Sequence, residues 1–283
     1  MTEPLFPELG KGGKLPPKPK PKGVEGHLWT AEKSLLIAEY VHRFLMVTKN
    51  GIYIDLFAGP QGEVFNEDWS VKRVVELRTE GNPAINHYAL CDKSRKQVAL
   101  LRQLKAEHQE RSHTFEVYPG DANKQIGKML DESSIKPKSA CFCLMDQRTL
   151  ECEWSTVEQV AKYKDGYKIE IFYFLAQGWI DRAMKSTRNF GRLERWWGRK
   201  DYNTFLDLHS VDRAWAFCNR FQELGYAHVH PFAIYEKGDH GRTMYYMIHA
   251  SDHPKAQSLM AQAYNQVRKN SGEGAKQRLL FTR

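Results

Sequence analysis

The feature that most constrains this chain is an alternation of short apolar runs, four of them with an aspartate at or near the carboxyl end, with mostly helical stretches. The first run holds Ile52, Tyr53, Ile54, Leu56 and Phe57, contains Asp55, and ends at Gly59. The second lies near His87–Cys91, with Asp92 at its carboxyl end. The third is Thr114–Tyr118, followed by Gly120-Asp121-Ala122-Asn123. The fourth, Ala140–Met145, stops at Asp146, and the fifth is Ile169–Leu175. Continuous β-branched and aromatic runs suit strands buried on both faces, the condition of a parallel sheet covered by helices. Between the runs, Arg95–His108 places Val98, Leu101 and Leu104 on one side, and Lys124–Leu130 is a short helix. Ser155–Glu158 reads as a capping box opening a helix with Val157, Val160 and Ala161. Residues 51 to about 175 are therefore expected to form an α/β core, a doubly wound Rossmann-like sheet.

Around that core the expected organisation is a flexible Pro/Lys/Gly tail over residues 1–26 and one α/β domain over 27–283. The tail holds Lys11, Lys14, Lys18, Lys20 and Lys22 among prolines, a composition that stays solvated. A helix follows, with Leu35, Leu36, Ala38, Val41, Leu45 and Met46 as its apolar stripe. Thr30 would cap it, with Lys33 standing where the glutamate of a capping box belongs. Residues 63–81 read as an irregular insertion, and about 178–220 as a helical addition rich in Trp and Arg. Ala227–Ala233 and Thr243–Ala250 read as two late strands before a final helix, Asp252–Arg268.

Composition narrows the function. No run of about 18 apolar residues exists to span a membrane, and the first residues lack the apolar core of a signal peptide. A cytoplasmic protein is the expectation. Cys91, Cys141, Cys143, Cys152 and Cys218 are odd in number and form no CxxC pair, so neither a disulfide framework nor a structural zinc site is expected. His228 and His230 share one strand face, but no third metal ligand accompanies them. The net charge of +8 admits a nucleic-acid partner, although five of the lysines crowd into the tail. Trp196 and Trp197, with Arg192, Arg195, Arg199 and Lys200, read in two ways. They could stack on bases and hold phosphates, or the tryptophans could pack on the core while the arginines stay solvated.

Ligands of open α/β sheets bind beyond the carboxyl ends of the strands, near the switch in strand order. Asp55, Asp92, Asp121 and Asp146 all fall at such ends. Crowded carboxylates repel and lose hydration unless a ligand compensates. A cationic amine, ribose hydroxyls and an amino-purine would do so, and S-adenosylmethionine (SAM) carries all three. Phe57-Ala58-Gly59 would make a tight turn whose glycine lets backbone approach the ligand. Asp55 would hold that turn or the methionine amine. Asp92 would take the ribose hydroxyls, Asp121 the adenine amino group, and Asp146 would face the sulfonium and the acceptor. The first turn lacks G-x-G-x-x-G, which disfavours NAD, and the absence of G-x-x-x-x-G-K-[ST] excludes a P-loop.

Several blocks carry a resemblance: HLWTAEKSLLIAEYVHRF, YIDLFAGPQG, GNPAINHYALCDKS, GDAN, the MDQ…WSTVEQVA stretch and YYMIHASDHPKAQSLM, together spanning about residues 27–265. In these the chain resembles the three-Cys-motif partner proteins (TcmP), a methyltransferase-like bacterial family. The resemblance implies a SAM-dependent methyltransferase-type sheet and a SAM pocket on Asp55, Phe57, Ala58, Gly59, Asp92, Asp121 and Asp146. It also implies a three-Cys-motif protein as a partner. Where that family carries Asp-Pro after the fourth strand, this chain has Asp146-Gln147-Arg148. Glutamine removes the fixed backbone angle of proline, although Gln147 could still hydrogen-bond an acceptor amine. The residues therefore speak for cofactor binding ahead of catalysis by Asp146 and Gln147. A non-catalytic partner protein that keeps the fold is the rival reading.

One expectation depends on the tail alone. A chain that starts at Val24 should keep the melting temperature of the full chain, because the removed residues lack apolar periodicity. A drop of many degrees in a thermal scan would show that the tail is packed.

Overall fold

The computed structural model describes residues 28–60, 69–77, 83–108, 113–177, 180, 190–237 and 240–270; the tail and most of the insertion after Gly62 lie outside them. In chain order the elements are α1 (Leu28–Thr48), β1 (Asn50–Asp55), α2 (Ser70–Val75), β2 (Ala84–Asp92), α3 (Arg95–Glu107), β3 (Thr114–Pro119), α4 (Ala122–Glu132) and β4 (Cys141–Met145). They continue as α5 (Trp154–Lys162), β5 (Glu170–Leu175), α6 (Phe190–Trp197), α7 (Tyr202–Leu206), α8 (Ser210–Glu223), β6 (His228–Lys237), β7 (His240–Ser251) and α9 (Ala256–Asn270).

The strands form one seven-stranded sheet in the order β3-β2-β1-β4-β5-β7-β6. The first five are parallel, and β7 runs antiparallel to both β5 and β6. This is a doubly wound Rossmann-like sheet with helical additions. Strand order reverses between β1 and β4, both of which run through the middle of the sheet.

Alternation along each strand builds two cores. On one face Ile52, Ile54, Cys141, Cys143, Ile171 and Tyr173 pack with residues of α4, α5, α6 and α8. On the other, Tyr53, Phe142, Leu144, Phe172 and Phe174 pack with α1, α2, α3 and α9. All residues of β4 and β5 are buried, as unbroken apolar runs require. The five cysteines are all free and buried. Burial pushes the Cys91 thiol up to about 12 and that of Cys141 up to about 11, so neither is a nucleophile at neutral pH.

Some local expectations give way to tertiary contacts. α1 already begins at Leu28, so Thr30 lies inside it rather than at its cap. Its buried face is Leu36, Ile37, Tyr40, Val41, Phe44 and Leu45, while Leu35 and Met46 are exposed. The Ser155–Glu158 capping box does not form, because α5 starts at Trp154 with Glu153 at the cap position. Asn123 ties that end instead: its Oδ1 accepts from the Glu153 N–H at 2.9 Å and the Thr156 hydroxyl at 2.8 Å. Within the stretch expected to be irregular, Val71, Val74 and Val75 bury one face of α2 at helical spacing. Of the two readings of the Trp/Arg cluster, core packing is the one realised: Trp196 and Trp197 are buried against Phe205 and Phe217.

Two glycines separate strain from crowding. Gly166 and Gly198 have φ of +81° and +77°. A Cβ on Gly166 would meet nothing within 4 Å, whereas one on Gly198 would lie 2.5 Å from Trp154 Cδ1. Gly166→Ala should cost about 1–2 kcal/mol, the left-handed penalty alone. Gly198→Ala should cost at least about 3 kcal/mol, because overpacking of the buried Trp154 adds to that penalty. Chemical denaturation of the two variants reads the difference; equal losses would contradict the packing at Trp154.

Candidate functional site

A cleft of about 860 Å³ opens over the carboxyl ends of β1, β2, β3 and β4, where strand order reverses. Its wall includes Phe57, Gly59, Asp92, Asp121, Asp146 and Gln147, six of the eight residues expected at the site from the sequence. Asp55 and Ala58 stand behind that wall, each 1 % exposed.

Asp55 holds the β1 turn from within. Its Oδ1 accepts from the Phe57 N–H at 3.0 Å and its Oδ2 from the Tyr53 hydroxyl at 3.2 Å. Of the two roles open to it, the turn is the one it fills, and its carboxyl does not reach the cleft surface. Burial drives its pKa up to about 8, opposed by the Phe57 N–H and reinforced by Asp146 and Asp92. Ala58 contributes backbone: its N–H donates to the Cys91 carbonyl at 2.8 Å, and its own carbonyl accepts the Trp69 indole N–H at 2.6 Å.

Asp92 closes β2 and is clamped on both oxygens. The Gly59 N–H reaches Oδ2 at 3.0 Å and the Ser94 N–H reaches Oδ1 at 2.7 Å. A carboxylate has about four acceptor positions, so capacity remains on the cleft side. The turn needs glycine here, since a Cβ on Gly59 would fall 2.5 Å from Asp92 Oδ2 and 2.4 Å from Gln97 Cβ. Asp121 caps α4, accepting from the Asn123 N–H at 2.9 Å. Asn123 Nδ2 donates to Asp121 Oδ1 and to the Glu151 carbonyl, both at 2.9 Å, which joins α4 to the loop after β4.

That loop is ordered by Gln147. Its Oε1 accepts from the Glu151 and Cys152 N–H groups at 3.1 and 3.0 Å, and its Nε2 donates to the Phe174 carbonyl at 3.4 Å. The side chain expected to meet an acceptor amine is thus engaged with the chain's own backbone. Asp146 is met by a residue the sequence reading had placed at a helix cap. Lys33, from α1, puts its Nζ 2.7 Å from Oδ2 and 3.0 Å from Oδ1. Lys33 is 2 % and Asp146 9 % exposed, and the Phe174 and Tyr245 rings lie 5.1 and 5.4 Å from Nζ. The signal for Lys33 was in the sequence: a lysine one to two turns before Leu36, Ile37 and Tyr40, on the apolar face of α1.

The cleft rim carries exposed pairs, Lys93 with Glu151 and Arg195 with Glu153. Arg192 donates to the Leu150 carbonyl at 3.0 Å and so also braces the loop after β4. Among the described residues no group of three His, Cys, Asp or Glu side chains could hold a metal ion, and no helix is long and apolar enough to cross a membrane.

Comparison with known proteins adds context. No protein-family model matches the chain, and no curated protein does. Two solved structures are similar in fold. One is TYW2 of M. jannaschii in complex with AdoMet, at 12 % identity and TM-score 0.37, covering 76 % of this chain and 74 % of that one. The other is a putative class I S-adenosylmethionine-dependent methyltransferase from Listeria monocytogenes, at 11 % identity and TM-score 0.41, covering 87 % and 72 %. The fold assignment rests on strand order and direction in this chain.

Asp55 carries a pH signature. A carboxyl raised from 3.8 to about 8 keeps its proton in the folded state while the unfolded chain releases it. The sign follows: stability falls as pH rises from about 4 to about 8, then levels off. Asp55→Asn keeps an oxygen for the Phe57 N–H and removes the titration. Its stability, measured by denaturation across that window, should decline less than that of the wild type. Parallel curves would show that Asp55 is ionised in the folded protein.

Proposed function

We propose that the cleft binds S-adenosylmethionine and its demethylated product, and that the chain is a methyltransferase-like protein. The observation that carries this reading is Asp92, clamped by two backbone N–H groups at the end of β2 and open to the cleft. An acceptor-only carboxylate held in one orientation beside a glycine turn suits the paired hydroxyls of a ribose. Asp121, the N-cap of α4 beyond β3, suits the amino group of a purine. The cleft volume falls in the range of small-molecule sites. S-adenosylmethionine supplies a sulfonium methyl group to an incoming nucleophile. The residues around it position rather than react: Phe57 and Gly59 shape the floor, and Gln147 and Asn123 hold the loop after β4 in place.

A second reading is favoured by one observation. Asp146 is ion-paired and the Gln147 amide is hydrogen-bonded to backbone, so neither presents a free base to an acceptor. On that reading the chain is a cofactor-binding partner protein, and the three-Cys-motif resemblance names its partner class. For an active enzyme, the basic balance of the chain favours nucleic acid as acceptor.

Binding and transfer are tested together. Isothermal titration of S-adenosylhomocysteine should show binding that weakens about tenfold or more in Asp92→Asn, the range for a lost hydrogen bond to a charged group. Equal affinity in both proteins would reject the ribose assignment. Labelled methyl groups supplied with total RNA, DNA and protein then decide between the readings: incorporation supports the enzyme, and binding without incorporation supports the partner protein.

A further inference from the structure

The wall of the cleft is divided by charge. At the β2 and β3 end it carries the carboxylates of Asp92 and Asp121. Past the end of β4 it carries three guanidiniums, those of Arg148 in the loop after that strand and of Arg192 and Arg195 on α6. We propose that this second end is an anion subsite, and that the methyl acceptor bears a phosphate which these arginines hold. Its role as the acceptor end rests on the reading of the cleft as an S-adenosylmethionine site.

The fold brings the three side chains together. Arg192 and Arg195 stand three residues apart on α6 and so share a face. Arg192 donates from Nε to the Leu150 carbonyl at 3.0 Å and from Nη2 to the Thr149 hydroxyl at 3.3 Å. Its guanidinium therefore lies against the two residues that directly follow Arg148. Arg195 gives its Nε to Glu153 at 2.7 Å, and an arginine has five donors, so most of its fork remains. Arg148 is exposed, and its backbone N–H meets Glu151 Oε2 at 3.1 Å; among the described residues its side chain donates to no other group. The loop that carries it is fixed by Gln147, whose Oε1 accepts from the Glu151 and Cys152 N–H groups. Arg148 follows Asp146 by two residues, a span of at most about 7 Å, so the subsite adjoins the point where strand order reverses.

Charge is unbalanced at this end. Lys93 joins the three arginines, and Glu151 and Glu153 are the carboxylates that answer them: four cations against two anions. Asp146 does not redress this, because its charge is met by Lys33. Like charges side by side repel, and a phosphate supplies the missing negative charge. The planar guanidinium fork fits phosphate oxygens in pairs. The Arg195–Glu153 pair is 54 % and 34 % exposed and contributes little as it stands, so Arg195 can turn to a ligand readily. In the transfer the acceptor's lone pair bonds the methyl carbon as the carbon–sulfur bond breaks. The sulfonium becomes a neutral thioether and the acceptor's proton passes to water. The arginines bind and orient; they form no bond. The phosphate has two sources, a free phosphate ester and the phosphodiester of a nucleic-acid strand.

The test uses the full chain, with and without S-adenosylhomocysteine. A short labelled single-stranded RNA is titrated by anisotropy at several salt concentrations, and uridine 5′-monophosphate and uridine by calorimetry. The double variant Arg148→Gln, Arg195→Gln should weaken the bound phosphate ligand about tenfold or more. For RNA, the plot of log affinity against log salt should also flatten by about 1.4, the share of two lost contacts on a single strand. Arg148→Lys keeps the charge and should keep the slope. Lys138→Gln, an exposed lysine before β4 at the opposite end of the strands, should change neither quantity. Melting temperatures report whether each variant is folded. RNA bound without the mononucleotide supports the inference and assigns the phosphate to a strand. Uridine 5′-monophosphate bound about tenfold more tightly than uridine supports it and assigns a free ester; that comparison needs no variant. A wild type that binds no phosphate ligand, or a double variant that binds as well as the wild type, overturns it. S-adenosylhomocysteine bound with no phosphate ligand leaves the cofactor reading intact. Phosphate binding that the double variant loses, without binding of S-adenosylhomocysteine, removes the cofactor reading and leaves the anion subsite standing.

Discussion

Burial of the central sheet on both faces is the constraint from which the rest follows. β1, β4 and β5 have helices above and below, so their side chains must be apolar along almost their whole length. Charged groups can stand only where the strands end. The aspartates therefore gather at the carboxyl ends, and the reversal of strand order between β1 and β4 leaves a gap there for a ligand. Position in the fold, more than any motif, makes these carboxylates a site.

Two of the exceptions to apolar burial are paired across layers, as desolvation demands. Glu170 opens β5 and meets the Tyr40 hydroxyl and the His249 ring, both buried. Lys33 meets Asp146. Both partners on α1 lie on one face, seven residues or two turns apart, so α1 is fixed to the sheet at two polar points within an apolar seam. Removing one member of such a pair leaves an uncompensated buried group, which costs far more than the intact pair contributes. The position of α1, and with it one wall of the cleft, is thereby specified more sharply than apolar packing alone would achieve.

The cleft is also preorganised through backbone. Gly59 and Ser94 orient Asp92, Asn123 joins α4 to the loop after β4 and to α5, and Gln147 holds two N–H groups of that loop. Polar side chains that look available in the sequence are mostly engaged in fixing one another. What remains for a ligand is a fixed set of acceptors around a glycine turn, an arrangement that favours binding and orientation over acid–base work.

The sequence by itself determined the sheet. Five apolar runs of strand length, most of them followed by a helical stretch, admit few arrangements other than parallel strands covered on both sides, and four of the runs carry an aspartate at or near the carboxyl end. Those properties are local, set by side-chain period and by what a buried strand tolerates. Tertiary structure decided the rest. It put Asp55 behind the turn, closed Gln147 onto the backbone, moved the start of α5 to Asn123's side chain, and buried Trp196 and Trp197 in the core on the α5 and α8 face of the sheet. Above all it brought Lys33 to Asp146, 113 residues away in sequence. Helical spacing shows that Lys33 lies on an apolar face, but the partner of a buried charge is chosen by how layers pack, and no local period records that choice.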